Sequence, residues 1–297
     1  MRIAVRLGAF TALLAAVFAA AALAGGVTHA GRHGSGRRAP AQNPEGMSMS
    51  STNQTMDHAG HADALPGRLA VAAGGYRLDT TDTLLAPGHA GRFAFRVLGP
   101  DGQPVRAFSE EHGALLHLIV VRRDLQGFQH LHPTLAADGT WSTPLTLASA
   151  GAYRVFADFQ PQGSAAMTLG TDLFAPGDFQ PVALPAASSS AETDGYQVAL
   201  AAGSPRAGQA SELVFHVARG GRVVTALEPY LGARGHLVAL RQGDLAYLHV
   251  HPMDIHAQAG QIVFHAVFPS PGAYRLFLQF QTAGQVHTAA YTLKVSR

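Results

Sequence analysis

Six histidines lie at matching places in two copies of one sequence motif. The first copy, residues 117–133, is HLIVVRRDLQGFQHLHP, and the second, residues 236–252, is HLVALRQGDLAYLHVHP. The spacing of the histidines is identical in the two copies, which supply the sets His117, His130, His132 and His236, His249, His251. Imidazole is the commonest protein ligand for transition metals. The repeated spacing therefore predicts a metal site in each copy.

A hairpin would bring the three histidines of each copy together. Residues 243–244, Gly-Asp, are a two-residue turn signal at the centre of the second copy. A hairpin centred there places His236 opposite His251, and one centred on residues 124–125 does the same for the first copy. Opposed residues share a face of a sheet, and so do residues two apart on one strand. Three imidazoles on one face can hold Zn²⁺ or Cu²⁺ and leave a ligand position open.

The same histidines also have a purely structural interpretation. His117 and His236 begin strongly apolar segments, where a half-buried imidazole can tie a loop through backbone hydrogen bonds. The His-Pro pairs at residues 132–133 and 251–252 can simply mark strand ends, because proline cannot continue a ladder of hydrogen bonds. His112, beside two glutamates, is an additional candidate ligand near the first set. The sequence leaves a metal-binding role and a structural role both open for the six repeated histidines.

A tail with methionines and histidines precedes the repeats. Residues 25–66 are rich in Gly, Ser, Pro and Ala and contain almost no large apolar side chains, so we predict that they are disordered. This segment contains five candidate ligands: Met47, Met49, Met56, His58 and His61. Thioether sulfur favours Cu(I), and imidazole binds both Cu(I) and Cu(II). The tail therefore favours copper as the cofactor, with zinc as the alternative.

The N-terminus has the composition of an export signal. Arg2 and Arg6 precede the uncharged run 9–24, which ends in small residues. We predict that residues 1–24 are a signal peptide, or an N-terminal anchor if they are not cleaved. The run is short for a membrane span, which needs about 20 apolar residues. We expect an extracellular, periplasmic or cell-surface protein with membrane contact only through this segment.

Charge and cysteine content exclude several classes of function. The chain has 21 basic and 19 acidic residues, and removal of residues 1–24 lowers the formal charge from +2 to zero. Proteins that bind nucleic acid carry a clustered basic patch, so we expect no nucleic-acid partner. The absence of cysteine excludes disulfides, thiolate metal sites and cysteine catalysis. A transition-metal site must therefore use His, Met or carboxylate ligands.

The rest of the chain has the pattern of antiparallel strands. Residues 92–97 alternate apolar and polar side chains, and residues 212–217 repeat that pattern. Each copy later contains Gly-Ala-Tyr-Arg, which is typical of the tyrosine corner of an immunoglobulin-like sandwich. We predict an all-β protein with two tandem immunoglobulin-like antiparallel β-sandwich domains, at residues 67–185 and 194–297, joined by a linker at 186–193.

These motifs resemble those of known proteins. The pair HLIVV…FQHLHP and GHLVAL…YLHVHP, each followed by GAYRxF, resembles a poorly characterised group of exported bacterial two-repeat proteins over about residues 70–297. The sandwich is also similar, more loosely, to periplasmic copper-resistance and YtkA-like domains. This resemblance implies an exported β-sandwich associated with metal handling. It does not carry over their metal site, because those mature chains begin with a ligand histidine and the expected cleavage here leaves Gly25 first.

From these patterns we predict a non-enzymatic exported protein that binds copper for capture, handover or resistance. Its partners would be the metal ion and a membrane metal transporter or acceptor protein. One alternative is a surface or adhesion module without metal, since sandwiches host many functions. Another is a cupin-like metal-dependent enzyme. However, no glutamate follows His249 and His251 at the expected distance, and the chain has neither a Gly-x-Ser-x-Gly elbow nor a phosphate loop.

Overall fold

Alternating apolar and polar residues form strands throughout the part of the chain that can be described. A computed structural model describes residues 68–250 and 258–297, with only the backbone of His249, and none of these residues is helical. Within these two ranges, accordingly, no helix is a candidate to cross a membrane. The predicted signal segment, the tail 25–66 and His251 lie outside the described residues.

The first repeat folds into two antiparallel sheets. Its strands are β1 (Ala72–Ala73), β2 (Tyr76–Thr80), β3 (Ala90–Leu98), β4 (Phe108–Ser109), β5 (Leu116–Arg122), β6 (Gln129–Leu131), β7 (Thr134–Leu135), β8 (Thr140–Thr146), β9 (Gly151–Pro161) and β10 (Met167–Ala175). One sheet has the order β1-β2-β3-β8-β7. The other has the order β10-β9-β5-β6, with β4 paired to β9. The histidine motif therefore lies in the second of these sheets.

The second repeat has the same arrangement of two sheets. Its strands are β11 (Ser190–Thr193), β12 (Tyr196–Ala201), β13 (Ala210–Arg219), β14 (Arg222–Val223), β15 (His236–Arg241), β16 (Tyr247–Val250), β17 (Gln261–Val267), β18 (Gly272–Thr282) and β19 (Gln285–Val295). One sheet has the order β11-β12-β13-β14, with β17 paired to β13, and the other has the order β16-β15-β18-β19. The chain is thus all-β and forms two tandem β-sandwiches, as predicted.

Alternation along the strands buries one side of each sheet in a core. The predicted apolar faces of β3 and β13 are at most 2% exposed, and they consist of Phe93, Phe95, Val97, Leu213, Phe215 and Val217. Each repeat has its own core of this kind. Full burial of such a side chain contributes about 1.5–3 kcal/mol, so these residues account for much of the stability of each sandwich.

A tyrosine corner is present in both repeats. The hydroxyl of Tyr153 donates to the carbonyl of Ser149 at 2.8 Å, and that of Tyr274 donates to the carbonyl of Ser270 at 2.9 Å. Both tyrosines are at most 1% exposed, so these bonds satisfy hydroxyl groups that have no access to solvent. The bonds confirm the immunoglobulin-like corner expected from the Gly-Ala-Tyr-Arg motif.

The strands that begin with His117 and His236 are buried on both faces. In β5, Leu118 and Val120 belong to the core of the first repeat. The intervening Ile119 and Val121 belong instead to a third cluster, which also contains Val238 and Leu240 of β15. This cluster packs the inner sheet of one repeat against that of the other and gives a stack of four sheets. Burial on both faces explains why these strands are continuous apolar runs without alternation.

The boundary between the repeats falls earlier than composition suggests. The polar composition of residues 186–193 predicts a linker there, but Ser190–Thr193 forms β11 and pairs with β12. The strand lies at the edge of its sheet and has exposed or half-buried residues, so its polar composition does not differ from that of a linker.

Candidate metal centre

Both histidine hairpins have the register predicted from their turns. In the first hairpin, Ile119 lies opposite His130 across the β5–β6 ladder. In the second, Val238 lies opposite His249 across the β15–β16 ladder. A slip of one residue would have moved each side chain to the other face, so this register is what lets the histidines meet.

The first histidine set converges on one point. The Nδ1 atom of His117 lies 3.0 Å from His130 Nε2 and 3.2 Å from His132 Nε2. One ring nitrogen from each residue lies within 4.8 Å of the other two. Ring centroids are 4.8 to 5.2 Å apart, and two imidazoles on one tetrahedral zinc ion have centroids about 5 Å apart. These three residues, the histidine triad, therefore have the spacing of a metal site.

A loop carbonyl sets the tautomer of His117. The carbonyl oxygen of Glu111 lies 2.9 Å from His117 Nε2 and can only accept a hydrogen bond. The proton of a neutral His117 is therefore on Nε2, and Nδ1 presents its lone pair to the other two rings. This is the arrangement by which an outer hydrogen bond orients a metal-binding histidine.

A glutamine from the second repeat sets the tautomer of His130. The Oε1 atom of Gln279 accepts from His130 Nδ1 at 2.6 Å. In this orientation of the amide, the nitrogen of Gln279 donates to Thr288 Oγ1 at 3.3 Å. The lone pair of His130 is thus on Nε2, directed at the triad. Gln279 has no signal in the sequence, because only the packing of the repeats brings it to His130.

The ring nitrogens of the triad are close enough to share a proton or a metal ion. Neutral His117 and His130 present lone pairs to each other at 3.0 Å, which is repulsive unless a proton or a metal ion lies between them. Burial lowers the pKa of the third member, His132, below its ordinary value of 6.5 and favours its neutral, metal-competent form. The spacing of the triad thus suits a hydrogen-bonded histidine network as well as a metal ion.

His236 lies beside the triad although it belongs to the other repeat. It is 1% exposed, and its ring centroid lies 6.0 Å from that of His117 and 5.9 Å from that of His130. Its Nε2 donates to the carbonyl of Tyr230 at 3.1 Å, as His117 does to Glu111. His236, the member of the second set whose side chain is described, therefore lies against the triad across the junction of the repeats.

Those loop contacts also bear on the structural interpretation. Both His117 and His236 do tie a loop to a strand through a backbone carbonyl, as that interpretation expects. The contacts use Nε2 in each case, and in His117 the Nδ1 atom faces the other two histidines of the triad. The loop-tying role and the ligand role are therefore compatible in one residue.

His112 lies at the edge of the cluster. Its ring centroid is 6.5 Å from that of His117 and 6.4 Å from that of His236, and its backbone has a φ of +50°. The equivalent residue of the second repeat, Leu231, has a φ of +52°, so this backbone conformation belongs to the turn that both repeats share. His112 and His117 line a cavity of about 80 Å³ together with Asp158 and Arg68. Of the triad, only His117 borders this cavity.

The remaining candidate ligands belong to the second histidine set and to the N-terminal tail. The side chain of His249, the whole of His251 and all five tail candidates are outside the described residues. Their participation in metal binding stays a prediction.

We expect His132 to become protonated at a lower pH than an ordinary histidine. Because burial lowers its folded-state pKa, the neutral residue contributes stability above about pH 6.5 that is lost as the pH falls toward the folded-state pKa. Metal binding should be lost over the same acidic range, since a protonated imidazole cannot coordinate. An NMR pH titration of the metal-free protein should give a lower midpoint for His132 than in the urea-unfolded chain. An equal or higher midpoint would contradict this expectation.

The fold and the triad together define a class: a tandem β-sandwich protein with a buried three-histidine cluster of metal-ligand geometry at the junction of its repeats. The chain belongs to the family described as "Domain of unknown function (DUF8832)", whose model matches residues 70–171 and again residues 191–297. No curated protein matches the sequence.

Several solved structures are similar to this chain at low identity. They include the Escherichia coli adhesin FdeC, at 15% identity over 77% of this chain and 66% of that chain, with a TM-score of 0.25. Invasin, a bacterial integrin-binding protein, has 13% identity over 74% and 38%, with a TM-score of 0.23. Domains 4 and 5 of the S-layer protein SbsC have 9% identity over 77% and 100%, with a TM-score of 0.23. The chain spans less than two thirds of FdeC and of invasin, and TM-scores this low support no shared function.

Proposed function

We propose that this chain is an exported, non-enzymatic protein that binds a transition metal through His117, His130 and His132. The observation that carries the proposal is the convergence of three ring nitrogens within 4.8 Å of one another. Outer hydrogen bonds to Glu111 and Gln279 support it, because they direct two of the three lone pairs inward. Inward-directed lone pairs at this spacing can coordinate one ion.

Copper is the metal we propose, with zinc as the alternative. At a given nitrogen site divalent affinity is higher for Cu²⁺ than for Zn²⁺, and imidazole also binds Cu(I). The tail methionines would add Cu(I) ligands upstream of the triad, and His236, His249 and His251 would form the equivalent site of the second repeat. In this proposal the tail captures copper and the sandwiches store it. The protein then hands the copper over to a membrane transporter or acceptor protein.

A binding role suits the surroundings of the triad better than catalysis. His117 is 2% exposed and His130 is 9% exposed. The adjoining cavity of about 80 Å³ admits an ion or water, whereas pockets for organic ligands have volumes of about 300–1,000 Å³. We therefore propose that the metal is cargo and not a catalyst.

Metal stoichiometry tests the proposed function. The purified chain would be equilibrated with Cu(I), Cu(II) and Zn(II), dialysed, and its metal content measured beside a variant that lacks residues 47–61. We expect at least one tightly held ion per chain, and two if the second histidine set also binds. Ions that disappear on deletion of the tail would place the chemistry there and make the triad structural. If no ion is retained, a surface or adhesion module without metal becomes the better account.

A further inference from the structure

The two repeats pack through equivalent residues. Phe128 and Tyr247 occupy the same position of the motif, and so do Phe156 and Phe277. Phe128 stacks on Phe277, with centroids 4.1 Å apart and an interplanar angle of 7°. Phe156 stacks on Tyr247, with centroids 4.8 Å apart and an angle of 20°. Each contact is thus matched by its reciprocal, which is the pattern of a two-fold interface within one chain.

The approximate two-fold axis passes through the histidine cluster. His117 and His236 are equivalent residues, and their rings are stacked across the junction with an interplanar angle of 30°. Around them lies the apolar cluster of Ile119, Val121, Val238 and Leu240, all at most 1% exposed. Residues of the second repeat therefore help to bury the triad, in addition to residues of the first repeat.

Gln279 is a direct polar link between the second repeat and a triad member. It lies on β18, opposite His236 in the β15–β18 ladder, and is 7% exposed. Its carbonyl oxygen accepts from His130 across the junction at 2.6 Å. Loss of an outer hydrogen bond of this kind typically reduces metal affinity about 10- to 100-fold.

We infer that the second repeat completes the metal centre of the first, in which Gln279 is a positioning residue and metal binding is coupled to the docking of the sandwiches. The inference rests on the proposed function and adds a thermodynamic coupling between metal binding and the docking of the two repeats. Docking places the amide oxygen that holds His130 in its ligand tautomer, so docking raises metal affinity. By reciprocity the bound ion must stabilise the docked arrangement by the same factor.

The test isolates the triad and then removes the link. In a His249→Ala/His251→Ala background, Gln279→Leu should lower Cu(II) and Zn(II) affinity about 10- to 100-fold. Gln279→Glu keeps an acceptor oxygen and should restore affinity to at least the level of the background. Gln281→Leu is the matched control, because it makes the same change two residues along β18, where the amide bonds to Glu228. Thermal unfolding of each metal-free variant reports whether it folds.

Amide hydrogen exchange supplies a readout that a merely structural role would not move. In the same background, metal should increase the protection of β15 and β18, although all three proposed ligands are in the first repeat. Gln279→Leu should abolish that increase and Gln279→Glu should keep it. Equal affinities for Gln279→Leu and Gln281→Leu would overturn the inference and leave the proposed function intact. A parent chain that binds no metal would overturn the inference and the proposed function together. If Gln279→Leu does not fold, reduced metal affinity in Gln279→Glu would overturn the inference.

Discussion

Replacement of both His130 and His132 by alanine is expected to abolish tight metal binding by the first repeat. The substitution removes two of three convergent nitrogens and leaves His117 as a single imidazole, 2% exposed, with its Nε2 already committed to Glu111. The loss should exceed the roughly 100-fold upper range that follows removal of an outer hydrogen bond. Competition against a chromophoric chelator, in the His249→Ala/His251→Ala background, measures the affinity of this site alone.

The chain offers a matched control for that experiment. His216 and His265 are exposed residues of the second repeat and lie outside the cluster, and His265 pairs only with Glu212 among the contacts described. A His216→Ala/His265→Ala variant removes the same number of imidazoles and should bind as tightly as the parent. Affinity within a few-fold of the parent in the His130→Ala/His132→Ala variant would refute the triad as the site.

Substitution of Phe156 by alanine is expected to destabilise the protein by about 3–5 kcal/mol, the usual range for a buried phenylalanine. Phe156 is 0% exposed and belongs to the cluster between the repeats, not to the core of its own sandwich. Its ring stacks on Tyr247 of the second repeat. The lost contacts are therefore those that dock the two sandwiches, and metal affinity should fall with the loss of docking. Urea unfolding followed by circular dichroism measures the change in stability.

Phe174→Ala is the companion variant for this measurement. Phe174 lies on β10 of the same sheet but is 45% exposed, so its truncation should change the free energy of unfolding by no more than about 0.5 kcal/mol. Similar losses in the two variants would mean that the face of Phe156 is not covered by the second repeat in solution.

Local patterns in the sequence were enough to predict the strands and the hairpins. Alternation identified the buried faces of β3 and β13, and the turn residues fixed the pairing of Ile119 with His130. These features depend on residues close together in the chain, so spacing alone determines them. The triad followed directly from that register.

The junction between the repeats could not be predicted in the same way. His130 and Gln279 are 149 residues apart, and no spacing rule connects them. The continuous apolar run of β5 indicated burial but not what covers its second face. Polar β11 was assigned to a linker because an exposed edge strand needs few apolar side chains. The sequence therefore did not predict the packing of the repeats against each other, because that packing depends on the shapes of two folded surfaces and not on local residue spacing.

The side-by-side packing of the inner sheets limits the length of the pair of repeats. Tandem sandwiches that join end to end form a longer rod with every added module. In this chain β5 of one repeat packs against β15 of the other, so the two sandwiches lie side by side. Extending the pair end to end would expose Ile119, Val121, Val238 and Leu240 to water, at a cost of about 1.5–3 kcal/mol for each large apolar side chain. Any role on a cell surface would consequently depend on the two outward-facing sheets and not on the distance that the chain spans.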